Sequence, residues 1–254
     1  LHIWPRGEYM IIALPNLDGS FTVTLFLAYE GGVYNFDALS TEESVLNFFK
    51  NEFPDALELM PNLAKEFFEN PTAPLGTVKC YPWQYKGKNM LLGDASHAIV
   101  PFYGQGMNAS FEDVVEFDRF LDQHNGDWEK TFKAFQRKRK IDTDGIADLA
   151  IDNFHEMKDH VANPLFQKKR ALEMTLETEL PNDYFSKYSM VTFREDMGYH
   201  EAMTRGRAQD KAILNIIDDG EIDSNVSILS LYEKIKKETQ SILENDKVAK
   251  TLNH

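Results

Sequence analysis

Leu91-Leu92-Gly93-Asp94-Ala95-Ser96-His97-Ala98-Ile99-Val100-Pro101-Phe102-Tyr103-Gly104-Gln105-Gly106-Met107-Asn108 is the stretch whose reading decides the fold. Asn89 to Leu92 reads as an apolar strand with an acid, Asp94, just past its end. A proline-containing loop follows, and Gly104-Gln105-Gly106 opens a helix that runs from Met107 to Leu121. Ligands of open α/β sheets bind beyond the carboxyl ends of strands, so Asp94 is placed to meet one. Gly104 and Gly106 let the backbone pass close to a flat ligand, and the free N–H groups at the start of the helix favour negative charge there. Taken alone, Gly93-Asp94 reads as a capped turn. The full spacing through Asn108 points to a ligand.

Upstream, residues 1 to 30 read as strands. Tyr9 to Leu14 is an apolar run, Ser20 to Leu27 is rich in β-branched and aromatic residues, and Asn16-Leu17-Asp18-Gly19 between them is a hairpin signal. Period-2 alternation puts Phe21, Val23, Leu25 and Leu27 on one face and Thr22, Thr24, Phe26 and Ala28 on the other. From Ser40 to Phe68 the spacing is helical, opened by Thr41 and Glu43, carrying Val45, Phe48, Phe49 and Phe53, and punctuated by Pro54 and Pro61. Thr77 to Trp83 reads as extended chain leading to the motif.

Downstream the pattern is almost wholly helical. Phe111, Val114, Val115, Asp118 and Leu121 share one helix and Trp128, Phe132 and Phe135 the next; Ile141 to Val161 and Leu165 to Leu180 continue it. Asp218-Asp219-Gly220 marks a loop, after which Ile228, Tyr232, Ile235, Ile242 and Leu243 form the apolar stripe of a terminal helix. The expected class is α+β.

Composition narrows the function. With 27 basic and 41 acidic residues among 254, the net charge is -14, and the acids are spread through both halves. That argues against nucleic acid and anionic membrane surfaces as partners. The one basic cluster, Arg137 to Lys140, reads as a solvated helix face. The longest apolar runs are strand-sized, well short of the ~18 residues of a membrane span. A single cysteine, Cys80, excludes an internal disulfide framework and a multi-thiolate metal site, and fits a reducing, cytoplasmic setting. Leu1-His2-Ile3-Trp4-Pro5 has no leader character and reads as the middle of a longer chain.

The motif of residues 93 to 108 resembles the second flavin-binding motif of the FAD-dependent aromatic hydroxylases. The resemblance implies FAD and NADPH as cofactors and O₂ as co-substrate, with Asp94 on the ribityl chain and Gly93, Pro101, Gly104, Gln105, Gly106, Met107 and Asn108 cradling the flavin. His97 also matches, as a core or supporting histidine. Leu1 to Pro5, Ile12 to Asn16, Ser20 to Phe26, Pro101 to Asn108 and Lys187-Tyr188-Ser189-Met190-Val191-Thr192-Phe193 resemble, more narrowly, the members that hydroxylate kynurenine. That likeness covers residues 1 to about 215.

It implies an L-kynurenine site lined by Ile12, Leu14, Phe26, Pro101, Phe102, Tyr103, Asn153, Met157 and Tyr188, with Glu156 in support. It implies no metal and no catalytic side chain, the protein's main task being to keep water from the reacting flavin. Phe154, where relatives often carry Tyr, and Tyr103 depart from the family pattern. The implied organisation is a substrate-domain sheet with a helical insertion over 1–88, the C-terminal part of an FAD-binding domain over 89–140 and a helical cap over 141–254. An N-terminal part of the same enzyme is expected to complete it, since no Gly-x-Gly-x-x-Gly follows a strand here. A hydroxylase of another aromatic acid and an inactive fragment are the alternatives.

The site also constrains the hairpin. A two-residue turn at Asp18-Gly19 would set Phe26 opposite Ile11 and so on the other face from Ile12 and Leu14. Bringing all three to one face requires a loop of odd length, with Gly19 at positive φ in a bulged turn.

Overall fold

A computed structural model of the chain describes residues 1–157, 163–220 and 227–252. It is α+β, and it divides into two compact units: Leu1–Leu75 with Phe154–Asn163, and Gly76–Asn153 with Pro164–His254.

The first unit is built on an antiparallel sheet of β1 (His2–Pro5), β2 (Met10–Pro15) and β3 (Phe21–Phe26), in that spatial order. The β2–β3 hairpin closes through Leu17, Asp18 and Gly19. Asn16 N–H donates to Ser20 O at 2.8 Å, Gly19 N–H donates to Asn16 O at 3.1 Å, and Gly19 stands at φ 84°. Asp18 holds the turn by accepting from Ser20 N–H at 3.0 Å. Three residues make an odd loop, so Phe26 pairs with Met10 and Leu25 with Ile11. Phe26 therefore shares a face with Ile12 and Leu14, as the sequence demanded.

The opposite face supplies the unit's core. Tyr9 and Ile11, with Leu25 and Leu27 beside them, pack on Val45, Phe48, Phe49 and Phe53 from α1 (Glu42–Glu52) and its exit. Thr41 caps α1 by accepting from Ser44 N–H, while Ser44 Oγ accepts from Thr41 N–H, a reciprocal box that fixes where the helix begins. Pro54 starts the short α2 (Pro54–Leu57), and α3 (Leu63–Glu69) follows Pro61.

The second unit opens on a two-stranded hairpin, β4 (Gln84–Tyr85) and β5 (Asn89–Met90). The strand expected over Asn89 to Leu92 is thus shorter than its apolar pattern. Beyond Met90 the only pairing is one bond from Leu91 N–H to Trp83 O, among the described residues. The motif then supplies a helical turn, α4 (Asp94–His97), a 3₁₀ turn (Pro101–Tyr103) and α5 (Gly106–Gln123). The helices α6 (Trp128–His155), α7 (Pro164–Glu179), α8 (Lys187–Phe193), α9 (Tyr199–Asp218) and α10 (Ile228–Leu252) follow. The helical pattern expected to reach Val161 passes, from residue 158, outside the described residues.

Two clusters organise these helices. Tyr103, Ala109, Ile146, Leu149, Ala150, Met190 and Met203 join the motif loop to α5, α6, α8 and α9. Leu176, Ile213, Ile216, Leu231 and Ile235 join α7, α9 and α10, and Ile242 continues the seam against Ala208 and Ala212. The stripe read on the terminal helix is therefore a core face of this unit. No helix among the described residues is long and apolar enough to cross a membrane.

Candidate functional site

Gly93 stands at φ 59° and ψ -141°, a conformation only glycine adopts without strain, and a Cβ there would lie 3.1 Å from Ser110 Oγ. This lets α5 press against the turn. Gly93 O then accepts from Ser96 N–H at 2.9 Å and from His97 N–H at 3.0 Å, which winds residues 94 to 97 into one helical turn and sends Asp94 outward. Asp94 is exposed, with Ser110 Oγ 3.5 Å from its carboxylate.

An open cavity of about 470 Å³ lies at this point, lined by Asp94, Ile99, Pro101, Gly104, Gly106, Met107 and Ser110. Gly104 stands at φ 69° with nothing within 4 Å of where a Cβ would be, so the loop presents bare backbone. Gln105, which precedes α5, gives no side-chain cap, and no acid occupies the first turn. Its Oε1 instead accepts from Asn108 Nδ2 at 2.9 Å, tying the turn to itself. The positive end of α5 therefore faces the same cavity as Asp94, an arrangement that receives electron-rich atoms at the helix end and hydroxyl donors at the carboxylate. The site residues read from the motif, Gly93, Asp94, Pro101, Gly104, Gln105, Gly106, Met107 and Asn108, are all brought together in this one loop and helix start.

What holds that loop was not read from the sequence. Asp113, on α5, is fully buried. Its Oδ2 accepts from Gly93 N–H at 3.0 Å and meets His97 Nε2 at 2.5 Å, and its Oδ1 accepts from Arg139 Nε at 2.7 Å. Burial pushes the Asp113 carboxyl up, but hydrogen bonds from His97, Arg139 and Gly93 outweigh it and hold it below the usual carboxylate range. Arg139 also donates to Ala109 O at 3.2 Å and pairs with Glu112 at 3.0 Å.

The solvated reading of Arg137 to Lys140 is thereby corrected at Arg139, which is 1% exposed, while Arg137 and Lys138 are exposed as expected. Arg139 lies on the same side of α6 as Phe132, Phe135, Gln136, Thr143 and Ile146, all buried, and that spacing was the available signal. His97 is a core histidine, packed against Trp83 with ring centroids 5.4 Å apart. The apolar stripe of α5 is also placed differently from a core stripe. Met107, Phe111, Val114 and Val115 are exposed, because Ala109 and Asp113 occupy the inner side of the helix.

The expected substrate residues fall in both units. Ile12, Leu14, Phe26 and Met157 belong to the first, where Ile12 is buried, Leu14 is exposed and Phe26 is half-buried. Pro101, Phe102, Tyr103, Asn153 and Tyr188 belong to the second. There Asn153 Nδ2 donates to Phe102 O at 2.6 Å, which fastens the end of α6 to the motif loop. Tyr188, half-exposed on α8, stacks on the buried Tyr103 with centroids 5.9 Å apart. Ser186 caps α8 by accepting from Ser189 N–H, which fixes where Tyr188 stands on the helix.

Comparison with known proteins shows the family. A family model described as an FAD binding domain matches residues 54–128, and the α+β fold is consistent with an FAD-binding aromatic hydroxylase domain. The chain is 47% identical over 243 residues to a kynurenine 3-monooxygenase of Dictyostelium discoideum, covering 91% of the chain and 52% of that protein. It is 48% identical over 208 residues to one of Flavobacterium johnsoniae, covering 82% of the chain and 46% of that protein. A Myxococcus xanthus relative of the same name is 50% identical over 193 residues. The chain belongs to the kynurenine 3-monooxygenase family, and it spans about half the length of the curated relatives it matches.

Proposed function

We propose that the protein carrying this chain hydroxylates L-kynurenine to 3-hydroxykynurenine, using FAD, NADPH and O₂. The observation that carries the reading is the shared cavity of Asp94 and the uncapped start of α5, in a chain so similar to kynurenine 3-monooxygenases. The residues fit the flavin end of FAD. Asp94 would accept hydroxyl hydrogens of the ribityl chain, and the backbone from Gly104 to Asn108 would meet the polar edge of the ring, where the helix end would favour negative charge. Bound FAD supplies the redox chemistry that activates O₂, so no side chain of this chain acts as nucleophile or metal ligand.

The chain's own contribution is binding, orientation and exclusion of water. From the first unit, Ile12, Leu14, Phe26 and Met157 offer apolar surface suited to an aromatic ring. From the second, Pro101, Phe102 and Tyr103 offer further apolar surface, while Tyr188 and Asn153 carry polar groups suited to the substrate carboxylate. In this reading residues 1–88 are substrate-domain sheet with a helical insertion, 89–140 the C-terminal part of the FAD-binding domain and 141–254 a helical cap. The pyrophosphate and adenosine are held by an N-terminal part of the protein outside these residues.

The test compares aromatic acids. The complete gene product, loaded with FAD, should oxidise NADPH faster when L-kynurenine is added, and salicylate or a simple phenol should not substitute for it. Stimulation by salicylate and not by kynurenine would move the protein to another member of the class.

A further inference from the structure

We propose that Asp113 is a positioning residue for the flavin-facing turn, acting through His97 and Gly93; this rests on the assignment of Asp94 and the Gly104 to Asn108 backbone to FAD. One carboxylate oxygen of Asp113 grips both ends of the turn, taking the backbone N–H of Gly93 on one side of Asp94 and the imidazole of His97 on the other. Its second oxygen is fixed by Arg139 Nε from α6. Asp94 stands between two residues that are tied to a single buried atom, while Asp113 itself does not line the cavity of Asp94.

The arrangement has a specific cause. A four-residue helical turn cannot hold its own shape by backbone bonding alone, since it closes few internal hydrogen bonds. Gly93, the residue that begins it, is also the least restricted residue type in the chain. The inward bonds to Asp113 remove that freedom. They also tie the turn to α5, whose N-terminal backbone forms the other half of the cavity, so the carboxylate of Asp94 and the helix start keep one spacing. A ligand bridging the two depends on that spacing, because rigid pre-placement lowers the ordering cost of binding. Arg139 balances the charge of Asp113, so that the clamp stays ionised inside the protein.

Substituting Asp113 directly would leave Arg139 buried beside a lost partner and risks unfolding, so the test uses His97. Gln places an amide N–H near the position of the imidazole Nε2, whereas Leu fills similar volume without a donor. In the complete gene product, FAD affinity is read by quenching of flavin fluorescence, the bound flavin by its visible circular dichroism, and folding by the melting temperature of the flavin-free protein. His97→Leu is expected to weaken FAD binding about tenfold, the scale of one lost charge-assisted hydrogen bond, and to alter the dichroism. His97→Gln should restore the affinity to within about threefold of the parent.

Equal affinity in the parent and both variants would overturn the proposal, and so would equal weakening in both, which would make His97 a matter of volume. Asp94→Ala, measured alongside, separates this from the underlying assignment. If that variant binds FAD as the parent does, the flavin reading itself has failed; if it binds weakly while His97→Leu does not, the clamp alone has failed.

Discussion

Asp113 Oδ2 lies 3.0 Å from the amide nitrogen of Gly93, twenty residues away, and the bond joins the α5 helix to the glycine that starts the Asp94 turn. Because Arg139 neutralises that carboxylate from a third element, the turn and two helices form one electrostatic unit.

Removing the cation should therefore be costly. Arg139→Met strips Asp113 of its fixed positive partner while keeping much of the buried volume, and is expected to destabilise the complete protein by ~3–5 kcal/mol at neutral pH. Asp113 is held below the usual carboxylate range, so its contribution is present above that range and is lost as pH falls through its lowered folded value. The stability gap between parent and variant should accordingly narrow in acid. Denaturant midpoints at neutral pH and in the carboxylate range check both points, and a gap independent of pH would count against the ion pair.

Asp94→Ala should weaken FAD retention and leave the fold intact, because Asp94 is exposed and Ser110 Oγ stands 3.5 Å from its carboxylate. Flavin content after gel filtration, beside a thermal melt of the apoprotein, measures the two effects separately. Unchanged flavin occupancy would remove Asp94 from the site.

Tyr188→Phe keeps the stacked ring on Tyr103 and deletes only the hydroxyl. It should raise KM for kynurenine by the worth of one hydrogen bond, ~0.5–1.5 kcal/mol, or more where a carboxylate is the partner. Steady-state kinetics at saturating FAD reads this. A KM equal to the parent's would argue against direct contact.

The hairpin register was legible because parity decides it. Ile12, Leu14 and Phe26 reach one face only with an odd loop, and Gly19 was the residue able to close one; the pairing of Phe26 with Met10 follows. That the motif residues from Gly93 to Asn108 gather in one loop and helix start was legible because they are contiguous. Arg139 and Asp113 were not, since helical spacing gives a charged residue no label for burial and the partners are 26 residues apart. The position of Arg139 among buried neighbours on α6, Phe132, Phe135 and Ile146, was a readable hint. Beyond Met90 the β5 strand fell short of its pattern, because an apolar run records a preference for burial and cannot supply a neighbouring strand to pair with.

Expressed alone, residues 1–254 should hold FAD weakly and fail to oxidise NADPH on addition of kynurenine. No dinucleotide-binding glycine motif follows a strand in the sequence, and Leu91, Leu92, Met107, Phe111, Val114 and Val115 expose apolar surface around the loop. Light scattering and flavin absorbance of the purified chain measure this. A yellow, monodisperse and active chain would refute it.

The most direct test of the central claim is to incubate the complete gene product with FAD, NADPH and L-kynurenine under ¹⁸O₂ and to analyse the product by mass spectrometry. The account predicts 3-hydroxykynurenine carrying one ¹⁸O atom, the other leaving as water as NADPH is oxidised, with the yield collapsing in the Asp94→Ala variant. NADPH consumption without hydroxylated product, or a hydroxyl oxygen drawn from water, would contradict it.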